Sequence, residues 1–195
     1  PLPPLPEQHR IVAILDEAFD AIATAKANTE QNLRNAREIF ANYRQRAFHT
    51  EKWKSATLDG IATNLDSRRI PITKGDRKAG EYPYYGASGI VDYVADYIFG
   101  GDALLVSEDG ANLLARSTPI AFSVSGKYWV NNHAHILQFK DMETQRFVEF
   151  YLESIPLDAY ITGAAQPKLT QKALNSIPIP FPPTSKERGE VVAEI

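Results

Sequence analysis

From Glu7 to Phe48 the chain runs for 42 residues without one Gly or Pro. Those two residues are the ones that weaken or break helices, and the run is instead dense in Ala, Glu, Arg, Leu and Gln, which favour them. A helix of that length extends roughly 60 Å at ~1.5 Å per residue. Glu7, Asp16, Glu17 and Asp20 lie toward its N-terminal half, and Arg44 and Arg46 near its end. That order weakly complements a helix dipole. Ile11, Leu15, Ala18, Ile22, Ala25, Ala36, Ile39, Tyr43 and Ala47 step by three or four, Leu33 and Phe40 widen the stripe, and Thr29 and Asn32 interrupt it. This is a heptad-like seam. Nothing within 7–48 folds back to cover it, so the pattern predicts a second helix against it, from elsewhere in the chain or from another chain. The plainer alternative is a helix lying on its own globular domain, but it would overhang a domain of ~140 residues.

The chain has 195 residues and a mass of 21.7 kDa, enough for one core and an extension. With 44% hydrophobic and 23% charged residues it is neither a disordered chain nor a fibre. No stretch approaches the ~18 apolar residues of a membrane span. The opening Pro1-Leu2-Pro3-Pro4 lacks the basic-then-apolar pattern of a signal peptide, and without an initiating Met it suggests a fragment or a trimmed chain. Cys is absent, which excludes disulfides and thiolate metal sites and fits a cytoplasmic protein. The net charge of −3 leaves no general basic field, so contact with nucleic acid would need a local patch.

Residues 51–184 change character. Gly, Pro, Asn and Asp punctuate short β-prone runs at Tyr82–Tyr85, Ile90–Ala95, Ala103–Ser107, Ile120–Val124, Lys127–Val130 and His135–Phe139. Ser125-Gly126 suggests a hairpin turn between the fourth and fifth runs. Glu143–Ile155 is amphipathic, with Phe147, Phe150, Tyr151 and Ile155 on one side, and Pro156 stops it. Thr170 is placed to cap a further helical turn to Asn175. The expected fold class is α+β: a long coiled-coil-forming helix followed by a mixed α/β domain. The expected divisions are 1–50, 51–184 and 185–195.

The end of the chain echoes its start. Pro178-Ile179-Pro180-Phe181-Pro182-Pro183 repeats the Pro-rich opening, and Glu187, 180 residues after Glu7, precedes the same apolar spacing. The pattern predicts one period of a longer repeat, with residues 185–195 expected as the start of its second helix.

These residues carry a family likeness. The run PLPPLPEQHRIVAIL and its helix resemble the conserved spacer of type I restriction-modification specificity (S) subunits. Gly163-Ala164-Ala165-Gln166-Pro167-Lys168-Leu169-Thr170 through IPIPFPP resembles the end of a target recognition domain of that family, as does Tyr84-Tyr85-Gly86-Ala87-Ser88-Gly89 followed by Glu108-Asp109-Gly110-Ala111-Asn112. The resemblance implies a non-catalytic subunit without cofactor or metal that recognises double-stranded DNA. It implies that methyltransferase (M) subunits, and through them restriction (R) subunits, are partners. A full S subunit has two recognition domains and two long antiparallel helices; this chain has one domain, one helix and a stub. That departure predicts a half-subunit or a fragment, and a homodimer through antiparallel helices that reads an interrupted palindrome. The dimer and partner helix would use Ile11, Leu15, Ala18, Ile22, Ala25, Ala36, Ile39 and Tyr43.

Within 64–80 five basic residues face two acidic ones, a local charge of +3. Ser67, Arg68, Arg69, Lys74, Arg77 and Lys78 therefore suit phosphate contact, unless they are only a solvated loop. Base reading needs Arg or Lys for guanine and Asn or Gln for adenine. The candidates on loops and strand ends are Tyr84, Tyr85, Ser88, Asn112, Arg116, Lys127, Asn131, Asn132, His133, Gln166 and Lys168. Each has a plain alternative: Tyr84 and Tyr85 equally suit the core, Asn112 suits the shaping of a turn, and Asn131-Asn132-His133 suits the capping of a strand.

No enzymatic constellation is visible. There is no G-x-G-x-x-G cofactor loop. Phe181-Pro182-Pro183-Thr184 lacks both the polar residue before and the aromatic after a Pro-Pro that grips a target amine. His133 and His135 share one strand face, but no third metal ligand is evident, so they read as structural. The rival to DNA recognition is a coiled-coil module whose globular domain binds protein.

Overall fold

The computed structural model describes residues 2–48 and 52–195. In chain order the elements are α1 (Leu5–Phe48), β1 (Lys54–Ala56), α2 (Leu58–Ile61), β2 (Ala62–Asn64), β3 (Ala79–Gly86), β4 (Gly89–Val94), β5 (Phe99–Gly100), β6 (Ala103–Ser107) and α3 (Asn112–Ala115). They continue with β7 (Ala121–Val124), β8 (Lys127–Val130), β9 (Ala134–Phe139), α4 (Met142–Ser154), β10 (Ile161–Thr162), β11 (Lys168–Leu169), α5 (Gln171–Asn175), β12 (Ile179–Phe181) and α6 (Ser185–Glu194). The class is α+β, as the patterns predict.

Two compact units divide the chain, Pro1–Tyr43 and Arg44–Ile195. The first is helical. It begins at Leu5 rather than Glu7 because Pro is tolerated in a first turn, where its missing N–H has no partner to lose. The Pro4 carbonyl accepts the Gln8 N–H at 3.0 Å. Ile11, Leu15, Ile22, Leu33, Ile39, Phe40 and Tyr43 are exposed on it, as are Val12, Ile14 and Phe19. Among the described residues no helix is long and apolar enough to cross a membrane.

The second unit is built on two four-stranded sheets. One is antiparallel, in the order β2-β9-β6-β7; the other is mixed, in the order β4-β3-β8-β5, with β3 and β8 parallel. Alternation along β6 joins two cores. Leu104 and Val106 enter a cluster with Phe147, Val148 and Leu152 of α4, while Ala103 and Leu105 meet Phe99, Tyr128 and Val130 of the second sheet. A strand covered on both faces reads as a continuous apolar run, which is what Ala103–Val106 is. Phe48 anchors the last turn of α1 by edge-on contacts with Phe147 and Tyr151, at 5.1 and 5.4 Å between ring centroids.

The expected hairpin at Ser125-Gly126 does not form. β7 pairs with β6, and β8 pairs with β3 and β5, so this turn carries the chain from one sheet to the other. Gly126 takes φ +83, as the turn chemistry requires. That chemistry is the same for a hairpin and a crossing; the choice is made by which faces are buried. The shortest strands, among them β5, β10 and β11, carry too few residues to show a period. α4 spans Met142–Ser154, one residue earlier than its apolar pattern indicates, because Asp141 caps it by accepting the Thr144 N–H at 2.7 Å. Thr170 caps α5 as expected. α6 begins with a capping box between Thr184 and Glu187, and buried Arg188 lies 4.6 Å over the Phe181 ring.

Candidate nucleic-acid interface

Four chain segments meet around one ionic cluster in the second unit. After β2, the Asn64 side chain accepts the Asp66 N–H at 2.8 Å and turns the chain inward. Asp66 then accepts the Ile136 N–H at 2.8 Å through one oxygen and faces His135 Nδ1 at 2.6 Å through the other. His135 Nε2 lies 2.8 Å from the Leu169 carbonyl. Arg69 reaches Glu108 at 2.6 Å and donates to the Ala134 carbonyl at 2.8 Å. Lys168 closes on the other Glu108 oxygen at 3.1 Å.

Burial alone would raise both carboxylates. Asp66 is nevertheless held below its ordinary value by the hydrogen bond and charge of His135, the Ile136 N–H and Arg69. Glu108 is held down by Arg69, Lys168 and the charge of His135. Two carboxylates therefore sit ionised among three cationic or hydrogen-bond-donating side chains, the arrangement that makes buried charge tolerable. Asp66, Glu108 and His135 are also metal-ligand types lying close together. The fit to a metal is poor, because Arg69 and Lys168 already occupy the carboxylate oxygens as cations and the ring nitrogen nearest them is engaged by Asp66.

The cluster gathers the loops. Backbone bonds run from Glu108 N–H to the His133 carbonyl at 2.9 Å, from Gly110 N–H to Pro167 at 3.0 Å and from Leu169 N–H to Glu108 at 2.8 Å. The exposed His133 ring faces both Asp109 oxygens at 2.9 Å. Ser107 donates to the Ala87 carbonyl, tying in the turn between β3 and β4. In the 163–167 loop Gly163 has φ +85, and a Cβ there would lie 2.4 Å from the Gln166 carbonyl oxygen. Only Gly fits that turn.

This convergence separates the candidates. Ser88, Asn132, His133, Gln166 and Lys168 come together on the clamped loops, and Ser67 and Arg68 lie on the turn that carries Asp66. Ser67, Ser88, Asn132 and Gln166 are exposed, and no hydrogen bond within the described residues uses their side chains. Asn131 is buried, and its side-chain Oδ1 accepts the His133 N–H at 2.8 Å. Arg69 is spent inside the cluster. A second basic set lies on the mixed sheet: Arg68 over Phe99 at 5.4 Å, Lys127 over Tyr97 at 4.6 Å, and exposed Lys74 and Lys78. Tyr97 raises the Lys127 ammonium above its ordinary value. Arg77 pairs with Asp92 at 3.1 Å and covers the Tyr84 ring at 4.5 Å.

Other candidates serve the fold. Tyr84 is buried, and its hydroxyl accepts the Ile72 N–H at 3.0 Å. Tyr85 is half-buried against Phe122 and Tyr128, and burial raises its phenol. Asn112 accepts from Ser117 and Thr118 and donates to the Thr118 carbonyl, closing its own loop. Arg116 donates to the Leu152 and Ile155 carbonyls at the end of α4. His133 and His135 do not act together: His133 precedes β9 and turns to Asp109, while His135 is inside it. Sequence reasoning missed Asp66, Glu108 and His135 as a unit. The one available signal was the charge of Glu108 directly after the buried run Ala103–Ser107.

A long helix followed by an α+β domain of this kind is the fold of solved type I restriction-modification S subunits. The chain superposes on a subunit chain from a structure of type I system assembly and conformational transition with TM-score 0.74 and 16% identity, covering 99% of this chain and 52% of that one. It superposes on the S subunit from M. genitalium with TM-score 0.61 and 15% identity (94% and 51%), and on the HsdS subunit from Thermoanaerobacter tengcongensis with 0.60 and 17% (99% and 50%). The family model of the type I restriction modification DNA specificity domain matches residues 50–195, and the chain belongs to that family. A type I restriction enzyme specificity subunit assigned in Haemophilus influenzae is 38% identical over 134 residues, 69% of this chain and 34% of that protein. The chain thus spans about a third of this relative and about half of the solved subunits.

Proposed function

We propose that the chain recognises double-stranded DNA by sequence and catalyses nothing itself. Membership of the specificity family supports this. The observation that carries it is the clamped loop set: Ser88, Asn132 and Gln166 offer uncommitted hydrogen-bonding groups on a scaffold fixed by ion pairs. Base edges are read by groups of defined geometry in the major groove, and fixed loops provide that geometry. Arg68, Lys74, Lys78, Lys127 and Lys168 supply phosphate contacts, which carry affinity but no sequence information. The exposed seam of α1 pairs with a second copy in antiparallel fashion and docks M subunits, through which R subunits are recruited, in the cytoplasm. Two recognition domains then read the halves of a bipartite site.

The test is selection from random duplex DNA by the purified chain with its cognate M subunit, sequenced at two salt concentrations. An enriched interrupted palindrome is the expected result. A single short motif would retain recognition and remove the dimer. No enrichment, with binding that vanishes as salt rises, would leave only phosphate attraction and favour the coiled-coil protein-interaction reading.

A further inference from the structure

The ring of His135 is almost fully buried, and both its nitrogens meet oxygen acceptors: the Asp66 carboxylate at 2.6 Å and the Leu169 carbonyl at 2.8 Å. A carbonyl oxygen only accepts, and an ionised carboxylate only accepts. A neutral imidazole has one N–H and would leave two lone pairs opposed. A ring that satisfies both partners carries both protons. It is then a cation in a pocket whose charged neighbours are Asp66 and Arg69 on the turn after β2, Glu108 at 3.8 Å on the loop after β6, and Lys168 on β11.

The position of the ring matters more than its burial. Asp66, Glu108, His135 and Leu169 belong to four segments far apart in sequence, and these segments lead into the loops with Ser67 and Arg68, Asp109 and Gly110, Asn132 and His133, and Gln166 and Lys168. We propose that His135 is a positioning residue for DNA recognition: its ring donates to Asp66 and to Leu169 at once and thereby fixes the separation of the loops that present Ser88, Asn132 and Gln166. The proposal rests on the DNA-recognition reading above. Ser88 enters through the Ser107 bond to Ala87, so the β3–β4 turn follows the Glu108 segment. Hydrogen bonds to charged groups in low dielectric hold geometry more firmly than neutral ones, which suits a site that must present donors to a rigid duplex.

Two experiments on the full chain test this, and the first needs no DNA. Long-range nitrogen–proton correlation spectra of the wild type at pH 7 should show both His135 ring nitrogens protonated; a neutral tautomer overturns the proposal. In His135→Gln, amide hydrogen exchange should rise at least ten-fold at Glu108, Gly110 and Leu169, while Leu105 and Val106 in the core keep their protection. Unchanged exchange, or an equal rise in the core, overturns it. If that variant does not fold, Glu108→Gln replaces it with the same expected pattern. The second experiment repeats the random-duplex selection with the folded variant. Binding to the unselected pool should stay within two-fold of wild type while enrichment of any sequence is lost. Retained enrichment overturns the positioning role. A wild type that enriches nothing overturns the DNA reading, and with it the link to recognition, whatever the exchange data show about the clamp.

Discussion

Arg69 Nη1 lies 2.6 Å from Glu108 Oε2, whereas the adjacent Arg68 is exposed with its guanidinium over the Phe99 ring. Two neighbouring arginines thus differ: Arg69 is spent inside the fold, and Arg68 stays on the surface, where the proposed function gives it a phosphate contact. Arg69→Met strips a cation from a largely buried carboxylate pair and should cost about 3 kcal/mol, the scale for breaking a buried ion pair. Arg68→Ala should change stability by no more than ~1 kcal/mol. It should weaken DNA binding and reduce the salt slope by about 1, as loss of one phosphate contact does. Urea unfolding and salt-dependent binding, run on both variants, check the assignment; equal effects on stability would refute it.

Acid should open the same cluster. Asp66 and Glu108 lie below their ordinary values of 3.8 and 4.5, so the folded chain binds fewer protons than the unfolded chain as pH falls. The stability they contribute is complete above those ordinary values and is lost as pH drops through the lowered ones. The urea midpoint should therefore hold steady from pH 7 to about 5 as far as this pair is concerned, and fall below about 4. In Glu108→Gln the fall should be shallower, because one linked proton is gone. A variant curve parallel to wild type would show that Glu108 is not linked to folding.

Arg116 has φ +49, the one non-Gly residue with positive φ among those described. Its guanidinium closes the carbonyl end of α4, donating to Ile155 at 2.9 Å and to Leu152 at 3.3 Å. Burial lowers its pKa despite Glu153 and Asp158 nearby, which marks a cation committed to the interior. Arg116→Gly removes the cap while relieving the left-handed backbone, and Arg116→Ala removes the cap and keeps the strain. Both should be less stable than wild type by about 1–2 kcal/mol, with the Ala variant the worse by up to ~1 kcal/mol. Thermal unfolding of the pair separates the two contributions; a Gly variant as stable as wild type would assign the whole role to the backbone.

What the sequence showed and hid follows from range. The long helix was legible because forty-two residues of uninterrupted propensity and a repeating apolar step are local facts. The central strands were legible for the same reason: Ala103–Ser107 is a buried run whichever partners it takes. The pairing of β7 was not, because Ser125-Gly126 has one turn chemistry and two possible uses. The ionic clamp was least legible of all. Asp66 and His135 are 69 residues apart, and neither carries a local sign of burial. Of the proposed contacts, those that turned inward share one trait: Arg69, Tyr84, Asn112, Arg116 and Asn131 each have a partner that loop closure brings within reach. A loop position in sequence says that a side chain is near the surface, not that its donors are unspent.

The seam of α1 gives the last prediction. Ile22 and Ile39 are 63% and 70% exposed, too much apolar area on one stripe for a helix meant to stay solvated. The polar break at Thr29 is self-satisfied, since its hydroxyl donates to the Ala25 carbonyl at 2.8 Å, so a partner helix need not supply an acceptor there. The heptad step from Ile11 to Tyr43 is symmetric enough about that break for two copies to lie antiparallel, apolar halves together. Light scattering should then give a mass twice 21.7 kDa at about 100 µM, where a concentration-dependent dimer is favoured. Ile22→Asp with Ile39→Asp places four carboxylates in the seam of that dimer and should return the mass to that of one chain. Far-UV helicity should persist in the second unit, whose helices do not depend on the seam. A wild-type chain of single mass at that concentration would leave the seam to M subunits alone and would remove the palindrome from the expected DNA site.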